Sequence, residues 1–195
     1  FTYDKTNDIL TLPNLTAATE LELSGSNVTY VPITGDLSTY ISNATAGDVL
    51  ILASGTYTVP SGAYTVVNKA ITLKGQGQDR TKIYSNDATS NIVLNITASN
   101  VYISDLTVEI SVATSTTLVG IRFSGNVTGN YIENVNIVST LGTGSVFALE
   151  AIDSDYTARN VNVNIVQSAG TSYCLGFYNH DTASNSTNRT ITLIN

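Results

Sequence analysis

Apolar and polar residues alternate with a period of two along most of this chain, in short bursts separated by Gly, Asn, Asp and Ser. A period of two marks strands with one buried face. Beyond Gly47 an apolar-polar-apolar triplet recurs as Ile71-Thr72-Leu73, Leu106-Thr107-Val108, Val135-Asn136-Ile137, Val161-Asn162-Val163 and Ile191-Thr192-Leu193, at intervals of 35, 29, 26 and 30 residues. A second family keeps step with it. Ile92-Val93-Leu94, Ile121-Arg122-Phe123, Leu149-Glu150-Ala151 and Leu175-Gly176-Phe177 are spaced by 29, 28 and 26 residues. Two families in step predict a solenoid of stacked coils whose loops vary in length. One coil cannot bury its inward side chains, but a stack buries them continuously, with Ile71 and Leu73 inside and Thr72 outside. Asp105, Asn134 and Asn160 each stand just before a coil's strand, where stacking would line them up as a polar ladder.

Only one segment has helical spacing. Behind Asp36, a natural N-cap, Leu37, Tyr40, Ile41 and Ala44 fall at i, i+3, i+4 and i+7. A helix there would cover the open sheet edge of the first coil. Ahead of it, Ile9-Leu10-Thr11-Leu12 and Leu21-Glu22-Leu23 read as small strands broken by turn residues. The expected organisation is a strand-and-turn attachment segment over 1–33 and a solenoid over 34–195.

Composition fits this picture. Hydrophobic residues make up 42% and charged residues only 12%, half the usual quarter, and 11 tyrosines are present. Thr, Val, Ile and Tyr favour strands, while Gly and Asn tolerate tight corners. The class is all-β. A net charge of −7 argues against a nucleic-acid partner, which needs a basic face. No apolar run is long enough to span a membrane as a helix. Cys174 is the single cysteine and His180 the single histidine, so neither an internal disulfide nor a His-built metal site is expected. No cofactor is expected. The chain starts at Phe1 and contains no Met, which predicts a processed protein or a piece of a longer one.

The segment from Gly47-Asp48-Val49-Leu50-Ile51-Leu52-Ala53-Ser54-Gly55-Thr56-Tyr57 through Ala70-Ile71-Thr72-Leu73-Lys74-Gly75-Gln76-Gly77 to Thr81-Lys82-Ile83 resembles the opening coil of pectin-lyase-like proteins. There a capping helix precedes such a strand. The resemblance covers about 37 to 83 well and implies a single-stranded right-handed parallel β-helix with a short N-terminal capping helix. It does not choose an activity, because that fold carries lyases, hydrolases, adhesins and viral fibres. The front segment, Phe1-Thr2-Tyr3-Asp4-Lys5-Thr6-Asn7-Asp8-Ile9-Leu10-Thr11-Leu12-Pro13-Asn14-Leu15, is similar to strand-turn-strand units of bacteriophage tail fibres and tailspikes. That similarity implies a homotrimer in a virion, contacting host surface polysaccharide or other virion proteins.

Candidate chemistry is sparse. Glu150, Asp153 and Asp155 lie close in sequence, and two carboxylates are the usual tool for glycoside cleavage. Stacking would make Arg122 an outward neighbour of Glu150; a plain surface ion pair is the competing reading. The motifs of polygalacturonase-like members (Asn-Thr-Asp, Asp-Asp, Gly-His-Gly, Arg-Ile-Lys) do not occur here. Nor do the four arginines sit in the dense acidic clusters of pectate-lyase-like members. His180 beside Asp181 is a base only if that loop places it so. Gly75-Gln76-Gly77-Gln78 lacks the third glycine and the helix of a phosphate loop and reads as a turn between coils. The seven Asn-x-Ser/Thr sequons are close to the number chance predicts for such a composition.

Tyrosines are the better clue. Tyr131, Tyr156, Tyr173 and Tyr178 fall in or beside the loops of the last three coils, where exposed aromatic faces beside Asn and Asp suit sugar stacking. Strand-edge caps and packing between protomers are the other uses of such tyrosines. The leading expectation is a non-catalytic structural or receptor-binding domain of a viral tail fibre, spike or capsid fibre, contacting host glycans. The alternatives are a pectin-lyase-like polysaccharide lyase or hydrolase using Glu150, Asp153, Asp155 and Arg122, and a prokaryotic cell-surface adhesin module.

Overall fold

The computed structural model of the chain describes residues 2–4, 9–11, 27–87, 91–167, 174–180 and 191–194. At the front, β1 (Thr2–Asp4) and β2 (Ile9–Thr11) pair antiparallel, with Tyr3 opposite Leu10, in a two-stranded sheet of their own. The strand expected at Leu21-Glu22-Leu23 lies outside the described residues. Next come β3 (Val28–Val31) and α1 (Leu37–Asn43). The Asp36 carboxylate caps α1 by accepting from the Ser38 amide at 3.2 Å and the Thr39 hydroxyl at 2.6 Å. Leu37, Ile41 and Ala44 turn into the core, as their spacing predicts.

The rest is a parallel β-helix with three sheet faces. Its first coil is β4 (Val49–Leu52), β5 (Gly55–Thr58) and β6 (Thr65–Val67), and its second is β7 (Thr72–Lys74), β8 (Thr81–Ser85) and β9 (Ile92–Ile96). The third and fourth are the long runs β10 (Tyr102–Ser124) and β11 (Asn130–Ile152), which wrap all three faces. Then come β12 (Tyr156–Gln167), β13 (Cys174–His180) and β14 (Ile191–Ile194). Every pairing in this stack is parallel. The first face carries the column Val49, Thr72, Tyr102, Tyr131, Thr157 and Thr192. The second carries Ile83, Val108, Ile137 and Val163, and the third Leu94, Ile121, Leu149 and Phe177.

The inward side chains of all three faces form one core, from Val31 and Leu37 at one end to Tyr156 and Ala158 toward the other. Helix α1 packs on β6, the third-face strand of the first coil. Lys69 ties it there, its ammonium donating to the carbonyls of Ser42 and Ala44. Tyr57 closes the same end: its hydroxyl accepts from the Ala53 amide and donates to the Val31 carbonyl, each at 2.7 Å. Among the described residues no helix is long and apolar enough to cross a membrane.

Register corrects part of the repeat. Leu106, Val135 and Val161 do stack on the second face. Ile71-Thr72-Leu73 does not join them: Thr72 and Leu73 pair with Tyr102 and Ile103 on the first face, and Leu106-Thr107-Val108 lies over β8 instead. Thr192 likewise pairs with Thr157 on the first face. In the second family the triplets at Ile121 and Leu149 are in register, but Ile121 meets Leu94 and Leu149 meets Phe177. The shift is two residues at each end, which preserves the side that faces inward.

The corner between the first and second faces is the predicted ladder. Asp105, Asn134 and Asn160 adopt left-handed φ values of 57°, 52° and 48°, a conformation Asn and Asp tolerate. The Asn134 amide donates to Asp105 Oδ1 at 3.1 Å, and the Asn160 amide donates to Asn134 Oδ1 at 2.7 Å. Asn134→Ala should cost about 2 kcal/mol in urea unfolding, from left-handed strain plus two lost bonds. Asn134→Gly should recover about half of that by removing the strain alone. Equal losses in the two variants would show that backbone strain contributes nothing.

Candidate functional site

Alternation turns Val101, Ile103 and Ile132 into the core and Tyr102 and Tyr131 outward on the first face. Parallel register then brings the two tyrosines to adjacent coils. Their rings are stacked, with centroids 5.4 Å apart and planes 3° from parallel. The next position in that column is Thr157, followed by Thr192. One face of the Tyr131 ring therefore rests on Tyr102, while the other looks over small side chains. On that open side is a cavity of about 170 Å³, lined by Gly129, Asn130, Tyr131, Asp155, Tyr156, Thr157 and Thr192.

Two positions further along the face, charges of both signs alternate. Glu133 accepts a hydrogen bond from the Tyr102 hydroxyl, and its other oxygen lies 3.3 Å from the Arg159 guanidinium. Lys74 stands 3.8 Å from Asp105. Burial, followed by the hydrogen bond to Glu133 and that carboxylate's charge, pushes the Tyr102 phenol up to about 12. The aromatic stack is thus bordered by groups that can hydrogen-bond sugar hydroxyls, and the charges cancel locally.

Under the cavity lie two inward residues, Asn130 and Tyr156, which are Cα partners on β11 and β12. Each is only 2% exposed. Asn130 Oδ1 accepts from the Val101 amide at 2.9 Å, which fixes the direction of its amide group. Its Nδ2 has no hydrogen-bond partner, and neither does the Tyr156 hydroxyl. The Tyr156 ring stacks on Phe123 inside the core, centroids 4.8 Å apart, and burial pushes its phenol up. Tyr156 is therefore a core residue and not an exposed sugar platform, because it opens β12 on the inward side. Tyr156→Phe should raise stability by about 1 kcal/mol by removing an unpaired buried hydroxyl. Thermal melting should show a rise of about 2–4 °C; a lower midpoint would mean the hydroxyl is paired in solution.

The third face holds the other candidates. Arg122 and Glu150 are Cα partners, and the guanidinium pairs with the carboxylate, which is 5% exposed. Tyr178 follows Glu150 in the column, and its ring stacks on Phe147 with centroids 4.6 Å apart. Asp153 and Asp155 are elsewhere, in the corner that leads to the first face. Asp153 takes a left-handed φ of 48°, and the Asp155 amide donates to the Val127 carbonyl at 2.9 Å. Glu150 thus belongs to a strand and the two aspartates to a turn. His180 ends β13, its Cα opposite Ile152; its side chain and Tyr173 lie outside the described residues. Among the described residues, no three His, Cys, Asp or Glu side chains are grouped to hold a metal ion.

Sequence reasoning missed Tyr102, Asn130 and Thr157 as neighbours of Tyr131. A signal was present for the first. Tyr102 precedes Tyr131 by the same 29 residues that separate Leu106 from Val135, so one coil length makes the two tyrosines adjacent.

No family model matches the chain, and no curated protein matches it. Among solved structures it is similar to pectate lyase Pel9A, at 13% sequence identity and a TM-score of 0.49. The match covers 88% of this chain and 58% of that one, so the chain spans well under two thirds of that enzyme's length. The fold assignment rests on the strand registers themselves.

Proposed function

We propose that this β-helix is a non-catalytic, glycan-contacting domain, the structural or receptor-binding part of a virion fibre or spike. The observation that carries the glycan contact is the outward Tyr131 ring, stacked on Tyr102, with Asp155 and Thr157 lining the cavity beside it. A preorganised aromatic plane with polar neighbours matches a pyranose, which offers an apolar C–H face and a rim of hydroxyls. Glu150 fits a structural role better than that of a catalytic acid, because Arg122 engages it on the strand. The virion assignment follows from the likeness of the front segment to tail-fibre units. A homotrimer belongs to the same reading, and a three-chain mass by light scattering would support it.

Tyr131→Ala should weaken binding to host surface polysaccharide at least tenfold, about 1.4 kcal/mol, while Tyr131→Phe should bind nearly as well as the unmodified chain. Undiminished binding by Tyr131→Ala would remove the ring from the contact. Steady release of oligosaccharide from the polysaccharide would overturn the non-catalytic reading.

A further inference from the structure

The two open edges of the first-face sheet fit each other: we propose that copies of this chain join head to tail, β3 of one copy adding as a parallel strand to β14 of another. The inference is independent of the glycan-contact reading. Its starting point is the order of the sheet, which runs β14-β12-β11-β10-β7-β4-β3. Among the described residues β3 pairs only with β4 and β14 only with β12, so each presents an unpaired strand edge. Helix α1 packs on β6, on another face, and does not cover β3: Val28 and Tyr30 are 65% and 62% exposed. At the opposite edge Leu193 and Ile194 are 54% and 42% exposed.

Proteins usually blunt such edges with a charge, a proline or a bulge. Val28-Thr29-Tyr30-Val31 and Ile191-Thr192-Leu193-Ile194 contain neither a charge nor a proline, and both pair with their inner neighbours in unbroken register. Each is built of strand-favouring residues. An edge of this kind takes up a further strand through main-chain hydrogen bonds. Register names the contacts. Val28, Thr29 and Tyr30 stand in the same three columns as Thr192, Leu193 and Ile194. One more parallel step along the stack therefore sets the second copy's Val28 on Thr192, its Thr29 on the inward Leu193 and its Tyr30 on Ile194. An aromatic against a β-branched residue is a favourable cross-strand pair. A two-fold joint of like edges would bury one apolar pair and leave the other in water, whereas the head-to-tail joint buries both. Because it uses a different edge on each copy and runs along the solenoid axis, it repeats as an open filament.

The test is the mass of the chain by light scattering across roughly a hundredfold range of concentration. The mass should climb with concentration and reach no plateau, whereas a closed trimer by itself gives one. Tyr30→Lys and Ile194→Lys each put a charge on one edge at an exposed position. Each should raise the concentration needed for growth at least about tenfold, and an unchanged melting midpoint verifies folding. An equimolar mixture of the two should join once, through the intact tail of the first and the intact front of the second, and stop at twice the mass of either variant alone. A constant mass over the whole range overturns the proposal, as does a mixture that fails to join. Pairing by either variant alone also overturns it, because that is the mark of a two-fold joint between like edges.

Discussion

Phe123→Ala should destabilise the chain by about 3–5 kcal/mol, the largest loss expected from a single truncation. Phe123 is 1% exposed, near the end of the third-face strand of β10, with Ile96 and Ala151 as Cα partners on the coils either side. Its ring also supports that of Tyr156, only 13° from parallel. The hole left by its removal cannot close easily. Ala151 is too short to reach across, and Tyr156 is held by the pairing of β12 with β11. In a solenoid each coil touches only its neighbours, so one damaged junction weakens the whole stack. At about 2–4 °C per kcal/mol for a chain of this size, the melting midpoint should fall by about 6–20 °C. A midpoint within a degree or two of the unmodified chain would show that Phe123 does not hold the middle coils together.

The second large effect is expected at Gly75, through backbone rather than core volume. Gly75 opens the turn after β7, where its amide donates to the Ser104 carbonyl at 2.9 Å. A Cβ at this position would stand 2.1 Å from the Asp105 carbonyl oxygen and 2.9 Å from Leu106 Cβ. Neither obstacle is the end of a flexible side chain. The Asp105 carbonyl also receives the Gly77 amide at 2.9 Å, so moving it breaks a bond between the second and third coils. Gly75→Ala should therefore cost about 3 kcal/mol or more, seen as a lower urea midpoint. Gly62→Ala is the control for composition alone: an added Cβ there meets nothing within 4 Å, although its φ of 73° leaves some strain. If the two variants unfold together, close approach of the coils at Gly75 is not what requires glycine.

The corner ladder shows what can be read directly from residue types. Asp105, Asn134 and Asn160 were identifiable because few residues tolerate the left-handed conformation that a tight corner demands, and all three precede an apolar strand. Helix α1 was legible for a similar reason, since Asp36 and the spacing of Leu37, Tyr40, Ile41 and Ala44 are purely local. The pairing of Arg122 with Glu150 followed from two triplets that happened to be in register. Ile71-Thr72-Leu73 and Ile191-Thr192-Leu193 lie on the first face and not with the triplets they match in pattern, because an apolar-polar-apolar triplet looks the same on all three faces. The side of the sheet is a local property of a strand; its neighbour above is not.

The candidate site divides along the same line. Tyr131 was legible as an aromatic near a corner, and Tyr102 could have been found from the coil length. Tyr156 was not: the inward turn of its side chain depends on starting β12 opposite Asn130. Asn130 and Tyr156 become neighbours only through the register of β11 and β12. By itself the sequence determined the all-β class, the stacked-coil architecture, helix α1 and the Asn corner, since each depends on local periodicity or on one residue's allowed φ. Only the tertiary structure decided which triplets share a face, which tyrosines point outward and which are core, and which inward residues become neighbours. Those depend on loop lengths that set coil-to-coil register, and register is an energy shared among strands far apart in the chain.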